Sequence, residues 1–120
     1  MSEEQNSAQH WPPKILFVCS QNKLRSLTAE TIYKDFPRYC VKSAGTNQGA
    51  RVRVTEGLIG WADRIFVMEK NHLNILRKKY REALDGKQLV CLHIPDDYDY
   101  MDADLIAVLK LRLSRYIEVP

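Results

Sequence analysis

Residues 15–26 read ILFVCSQNKLRS, and this stretch decides the fold. The apolar run 15–18 predicts a buried strand that ends at Cys19, and a short loop then leads to Arg25 and to a helix that starts near Ser26. In the Cys-x5-Arg spacing both side chains can face one tetrahedral oxyanion, while the loop turns its backbone N–H groups inward. The helix adds the positive end of its dipole. The pattern predicts a phosphate-sized anion site, and the thiol at its floor indicates catalysis rather than binding alone.

The composition is typical of one globular domain. The chain has 120 residues, 45% of them hydrophobic and 28% charged, which suffices for a single core. The net charge of +3 suits an anionic substrate but lacks the clustered basicity of a nucleic-acid binder. No apolar run is long enough to cross a membrane. We expect residues 1–13, which are polar and acidic, to form a disordered tail rather than a signal peptide, and residues 14–120 to form one α/β domain.

The three cysteines, Cys19, Cys40 and Cys91, bear on compartment and metals. An odd number of cysteines without a secretion signal predicts reduced thiols and a cytoplasmic location. No pair has the spacing of zinc ligands, so we expect no metal and no other cofactor. Cys40 and Cys91 fall next to predicted strands, and we expect both to be buried core thiols.

Strands and helices alternate along the remaining chain. Strands are predicted at residues 14–18, 40–43, 64–68 and 89–92, and helices at residues 26–36, 54–61, 70–79 and from 102 onward. We expect Ser26 to cap the first helix and Pro37 to end it. The alternation predicts a small doubly wound three-layer sandwich with a four-stranded parallel sheet. Ligands bind beyond the carboxyl ends of such strands, so the loops 19–26, 44–50 and 93–101 should converge.

Four stretches together resemble the low-molecular-weight protein tyrosine phosphatases. They are ILFVCSQNKLRS followed by TAE, VKSAGT at 41–46, ADRIFVMEKNHLNIL at 62–76 and IPDDYDYMD at 94–102. The resemblance covers residues 14–117 and implies the α/β fold predicted above. It also implies a metal-independent phosphomonoester hydrolase that forms a phosphocysteine. The implied partner is a phosphorylated substrate, either a phosphotyrosine protein or a small phosphomonoester, with no nucleic acid and no membrane involved.

The same resemblance implies a role for each site residue. Cys19 would be the nucleophile, and Arg25 would bind two phosphate oxygens through its planar fork. Asp96 would be the general acid, with Asp97 left as the alternative because the family's Asp-Pro-Tyr reads Asp-Asp-Tyr here. The implied substrate-binding residues are Ser20, Gln21, Asn22, Lys23, Leu24, Ser26 and Tyr98, and the implied supporting residues are Ser43, His72 and Asp97.

Several of these side chains have more specific expected contacts. The resemblance implies that Asn22 braces the loop, that His72 orders Asn22, and that Ser26 hydrogen-bonds the thiolate. Tyr98 would wall the pocket and stack on an aromatic substrate. The chain also has two arginines, Arg51 and Arg53, that either widen a basic rim or are simply solvated; we favour solvation.

Some positions depart from the family pattern and keep other functions open. Gln21 stands where the family has glycine, Leu24 where many members have a second cysteine, and Leu27 where they have proline. These departures predict a diverged branch. One alternative is a phosphate-binding or phosphoprotein-binding module without turnover, which the altered acid loop favours. The other is a thioredoxin-coupled arsenate reductase, which would need two further cysteines close together.

Overall fold

The structure is a computed structural model, and it describes residues 11–120. Most of the predicted tail, residues 1–10, lies outside the described residues. The last residues before the first strand are held in place, because the carbonyl of Pro13 accepts a 2.9 Å hydrogen bond from the amide of Cys40. The Arg38 guanidinium lies 5.5 Å from the centre of the exposed Trp11 ring.

Strands and helices alternate throughout the described residues, as predicted. The strands are β1 (Lys14–Cys19), β2 (Cys40–Gly45), β3 (Arg64–Val67) and β4 (Gln88–Cys91), and the helices are α1 (Arg25–Tyr33), α2 (Glu56–Trp61), α3 (Lys70–Lys79) and α4 (Ala103–Leu113). The side chain of Asp102 caps α4 by accepting from the amide of Asp104 at 2.8 Å. Helix α1 ends at Tyr33, before the predicted stop at Pro37.

The four strands form one parallel sheet in the order β2-β1-β3-β4. Side chains alternate along β1, so Ile15 and Phe17 pack on one face with α1 and α4. Leu16 and Val18 pack on the other face with α2 and α3. Two helices therefore cover each face of the sheet, which confirms the predicted three-layer α/β sandwich.

The N-terminus of α1 differs from the prediction. Leu24 occupies the N-cap position, and no side chain caps the helix. Ser26 lies inside the first turn, where its hydroxyl is 2.9 Å from the Cys19 sulfur instead of bonding a backbone amide. The expected Ser26 cap is therefore wrong, and the free amides of an uncapped first turn remain available to an anion.

The prediction of two buried core thiols is wrong for Cys40 and only partly right for Cys91. Cys40 is exposed and Cys91 is half-buried. Both lie in the edge strands β2 and β4, where one side of the strand has no neighbouring strand to cover it. Within residues 11–120, every helix is too short or too polar to span a membrane.

Candidate active site

A pocket of about 160 Å³ lies beyond the carboxyl end of β1, the central position predicted for it. The residues that line it are Cys19, Ser20, Gln21, Lys23, Leu24, Arg25 and Asp96. Two of the three predicted loops, 19–26 and 93–101, thus converge on the pocket. The third predicted loop, 44–50, does not line the pocket; residues 46–51 instead hydrogen-bond to loop 20–24, which we call the phosphate loop, and support it.

The backbone of the phosphate loop is oriented by the segment that follows β2. The carbonyls of residues 19, 20 and 21 accept hydrogen bonds from the amides of residues 46, 47 and 51, at 2.9, 3.0 and 2.9 Å. The carbonyl of Asn22 accepts from Nε of Arg51 at 3.1 Å. In a planar trans peptide the carbonyl and the next N–H point in opposite directions. Four outward carbonyls therefore turn the amides of residues 20–23 toward the pocket.

Asn22 makes this turn possible and stabilises it. Its φ is 59°, in the left-handed region that asparagine tolerates better than most residues. Its buried side-chain amide donates two 2.8 Å hydrogen bonds, to the hydroxyls of Ser26 and Ser43. Ser43 in turn donates to Glu30. Asn22 and Ser26 are fully buried behind the loop and do not line the pocket, so both support it from behind.

Gly45 is required by the close approach of the phosphate loop to the end of β2. A Cβ atom at this position would lie 2.4 Å from the carbonyl oxygen of Ser20 and 3.0 Å from the amide nitrogen of Asn22. Both are backbone atoms, which cannot move aside as a flexible side chain would. The glycine of the Ser-Ala-Gly-Thr stretch therefore sets how tightly the loop packs.

The thiol of Cys19 lies at the floor of the pocket, where the residue is buried. Its sulfur is 2.9 Å from the Ser26 hydroxyl. That hydroxyl already accepts from Asn22, and its other acceptor, the carbonyl of Ala44, is farther away at 3.4 Å. The serine hydrogen is therefore best placed to donate to the sulfur, an arrangement that stabilises a thiolate.

Arg25 is held through Nη1, and the other edge of its guanidinium, formed by Nε and Nη2, is beside Asp96. The residue is only 2% exposed, and its Nη1 donates to the Glu69 carboxylate and, at 2.8 Å, to the carbonyl of Ile94. Its Nε lies 3.7 Å from Oδ1 of Asp96. The remaining Nε–Nη2 fork has the geometry that binds two oxygens of one phosphate.

His72 connects the phosphate loop to the start of α3. Its Nδ1 accepts a 3.0 Å hydrogen bond from the amide of Glu69, so the ring hydrogen is on Nε2, which donates to the Ser20 hydroxyl at 2.8 Å. Burial, helped by the positive charge of Arg25, lowers the pKa of His72 from 6.5 to about 4. The expected contact of His72 with the loop asparagine is wrong, since the histidine holds Ser20 instead.

The loop between β4 and α4 carries the candidate acids. Asp96 lines the pocket, and its side chain is 61% exposed. Asp97 is exposed and does not line the pocket. Tyr98 packs against the apolar cluster beneath α1 and α4. Tyr98 is half-buried and is not among the residues that line the pocket, so the expectation that it forms the pocket wall is wrong.

Sequence reasoning missed three contributors to the site. Glu69 pairs with Arg25, Glu30 accepts from Ser43, and Arg51, although exposed as expected, also binds the carbonyl of Asn22. Glu69 carries the clearest signal in the sequence, because it comes almost directly after β3 at the edge where ligands bind. The partners of Glu30 and Arg51 are 13 and 29 positions away, so only the fold reveals them.

The sheet order, the alternation of elements and the position of the Cys-x5-Arg loop define the fold of the low-molecular-weight protein tyrosine phosphatases. The chain is similar to SP-PTP, a member of that family from Streptococcus pyogenes, with a TM-score of 0.72 and 18% identity over 88% of this chain and 94% of that one. No family model and no curated protein matches the chain.

Two further solved structures have the same fold. The tyrosine phosphatase Wzb from Escherichia coli K30, in complex with phosphate, has a TM-score of 0.65 and 23% identity over 87% of this chain and 95% of that one. The YwlE arginine phosphatase from Geobacillus stearothermophilus has a TM-score of 0.63 and 20% identity over 91% of this chain and 100% of that one. At such identities the likeness establishes the fold, while the reaction has to be argued from the site.

Proposed function

We propose that this protein is a metal-independent phosphomonoester hydrolase of the low-molecular-weight protein tyrosine phosphatase family. The observation that carries the proposal is the convergence on one pocket of a buried thiol, inward backbone amides, a guanidinium fork and a carboxyl group. A site that only binds phosphate needs the amides and the arginine. The nucleophile and the carboxyl group are the additions that chemistry requires.

In the first step the thiolate of Cys19 attacks phosphorus, and the bond from phosphorus to the leaving oxygen breaks. The protonated carboxyl group of Asp96 gives its proton to that oxygen, so the alcohol or phenol leaves neutral. The loop amides and the Arg25 fork hold the three remaining phosphate oxygens while charge is redistributed over them.

In the second step water hydrolyses the phosphocysteine. The Asp96 carboxylate takes a proton from the water, the new oxygen–phosphorus bond forms, and the sulfur–phosphorus bond breaks. The Ser26 hydroxyl donates to the sulfur as it leaves as thiolate. Inorganic phosphate is released, and Asp96 is again protonated for the next turnover.

Asp96 is favoured over Asp97 as the acid because of its position. Its carboxylate is within 3.7 Å of the Arg25 Nε and lines the pocket, whereas Asp97 does not. A carboxylate beside the Arg25 fork would repel a phosphate dianion. The substrate therefore binds when Asp96 carries the proton that it later transfers.

Phosphotyrosine in a protein is the proposed substrate, with a small phosphomonoester as the alternative. The YwlE arginine phosphatase shares the fold, so the fold alone does not determine which group is removed from the phosphate. The rim also carries an exposed lysine, Lys23, which would favour a substrate with a further anionic group beside its phosphate. A reducing, cytoplasmic location suits a catalytic thiol.

A phosphate-binding module without turnover is the second candidate, because the acid loop lacks the family's proline. The arsenate reductase alternative is weaker. It needs neighbouring thiols, and Cys40 and Cys91 lie at opposite edges and opposite ends of the sheet.

The test is hydrolysis of p-nitrophenyl phosphate by the reduced protein in EDTA at mildly acidic pH. Cys19→Ser should abolish turnover, and Asp96→Asn should lower kcat/KM by about a hundredfold or more, within the range typical of general acids. Asp97→Asn is the matched control and should change it by less than about threefold. Complete loss of the EDTA-resistant activity is expected only for Cys19→Ser. A protein that binds vanadate or phosphate yet never turns over would instead be a binding module.

A further inference from the structure

The loop that carries Asp96 begins and ends at residues with unusual backbone geometry. His93 has a φ of 56° and Met101 a φ of 59°, in the left-handed region that is uncommon outside glycine; histidine adopts it more often than most residues, and methionine does not. Two such residues bracket the loop, so the path of the chain between them depends on contacts that keep both conformations in place.

The first of these contacts comes from Arg112, near the C-terminal end of α4. Its Nη1 donates to the carbonyls of Leu92 and His93, at 2.5 and 2.9 Å. These two successive carbonyls belong to the first two residues after β4, where the chain leaves the strand. A charged donor shared by both fixes their orientation, and with it the direction in which the loop departs.

The second contact comes from Thr28 of α1, which is fully buried. Its hydroxyl accepts a 3.0 Å hydrogen bond from the amide of Met101. Between the two anchors, Ile94 is also fixed. It donates from its amide to the carbonyl of Met68 and accepts from Arg25, both at 2.8 Å.

We propose that Arg112 and Thr28 are positioning residues for the general acid. They touch neither the thiol nor the pocket, and they act by holding the two ends of the loop so that the Asp96 carboxyl group reaches the leaving oxygen. The inference rests on the proposed phosphatase function and deepens it. On this proposal, helices α1 and α4 help to position the acid, whereas the sequence motifs point to the loop alone.

The test compares kcat/KM for a series of substituted phenyl phosphates, from good to poor leaving groups. An effective acid makes kcat/KM nearly independent of the leaving group, because the leaving oxygen departs protonated. Arg112→Met and Thr28→Val should steepen this dependence, with about tenfold loss on phenyl phosphate and less than about threefold on p-nitrophenyl phosphate. Inhibition by phosphate should be unchanged. Arg115→Met, an exposed arginine just beyond α4, and Thr28→Ser, which keeps the hydroxyl, should resemble the wild type.

The same substitutions in the Asp96→Asn background separate positioning from general damage. If Arg112 and Thr28 act through Asp96, replacing them should not lower kcat/KM any further in the Asp96→Asn variant. An equal loss for every leaving group, or a full loss added to that of Asp96→Asn, would refute the proposal. Thr28→Val carries the test if Arg112→Met fails to fold, and Arg112→Lys, which keeps a charged donor, should lose less than Arg112→Met. Failure of the phosphatase function itself looks different: Cys19→Ser would then retain turnover, or no variant would show any.

Discussion

Replacing His72 by asparagine should remove a defined part of the protein's sensitivity to acid. The histidine is fully buried in its neutral form, because Nδ1 accepts from the amide of Glu69 and is not free to take a proton. Protonation would break that hydrogen bond and place a positive charge beside Arg25. Asparagine does not titrate, and its side-chain oxygen can accept from the same amide.

The magnitude follows from the pKa of His72, which is lowered from 6.5 to about 4. Above pH 6.5 the histidine is neutral in both the folded and the unfolded chain, so this contribution to stability is complete. Between pH 6.5 and about 4 the unfolded chain binds the proton and the folded chain does not. The free energy of unfolding therefore falls as the pH falls, by about 3 kcal/mol over the interval at about 1.4 kcal/mol per pH unit. Below that interval the loss stops.

The assay is urea unfolding of the wild type and His72→Asn at several pH values from 4 to 7, in buffers without phosphate, which would bind the site. Carboxylates titrate in both proteins, so the difference between the two curves isolates the histidine. That difference should shrink by about 3 kcal/mol as the pH falls through the interval. His93→Asn is the matched control, since His93 is exposed and asparagine tolerates its positive φ. A wild-type-minus-His72→Asn difference that does not change with pH would refute the reasoning.

Three further results are expected. Gly45→Ala should lower the free energy of unfolding by about 2–4 kcal/mol in urea unfolding, because its Cβ would lie 2.4 Å from the Ser20 carbonyl oxygen; a neutral effect would mean that the loop is looser than described. Glu69→Gln should cost about 1–3 kcal/mol and weaken phosphate binding in calorimetry, since Arg25 loses its charged partner, and unchanged binding would contradict that. Tyr98→Ala should cost about 1–3 kcal/mol while KM for p-nitrophenyl phosphate changes less than about twofold. A large rise in KM would place its ring at the substrate.

The parts of the fold that could be predicted are those with local signals. The apolar run 15–18 and the alternation of elements predict the parallel sheet and its three layers, and the Cys-x5-Arg spacing predicts the pocket beyond β1. The patterns that signal these features lie in short stretches of sequence, although the sheet itself pairs strands that are far apart in the chain.

The errors arise where the folded chain gives a residue a contact or a position that its residue type alone does not reveal. Ser26 has the right side chain for a helix cap, but its hydroxyl is engaged by the Cys19 sulfur and by Asn22. Tyr98 lies in the motif that suggests a pocket wall, but its half-buried side chain packs against the apolar cluster and does not line the pocket. Cys40 belongs to a residue type that is usually buried, but its strand is at the edge of the sheet. The partners of Ser26 are close in sequence, whereas the cluster that Tyr98 contacts and the edge position of β2 become visible only in the folded chain.

The proposed nucleophile and the proposed acid are attached to parts of the fold that differ in local stability. The thiol ends β1, which has hydrogen-bonded strands on both sides and packed helices on both faces. The acid follows β4, an edge strand with a neighbour on one side only. Local opening should therefore reach β4 before β1, and the amides of β4 should exchange with solvent faster than those of β1. We therefore expect gentle heating to impair the proposed proton transfer before phosphate binding, so that turnover and ligand binding would be lost at different temperatures.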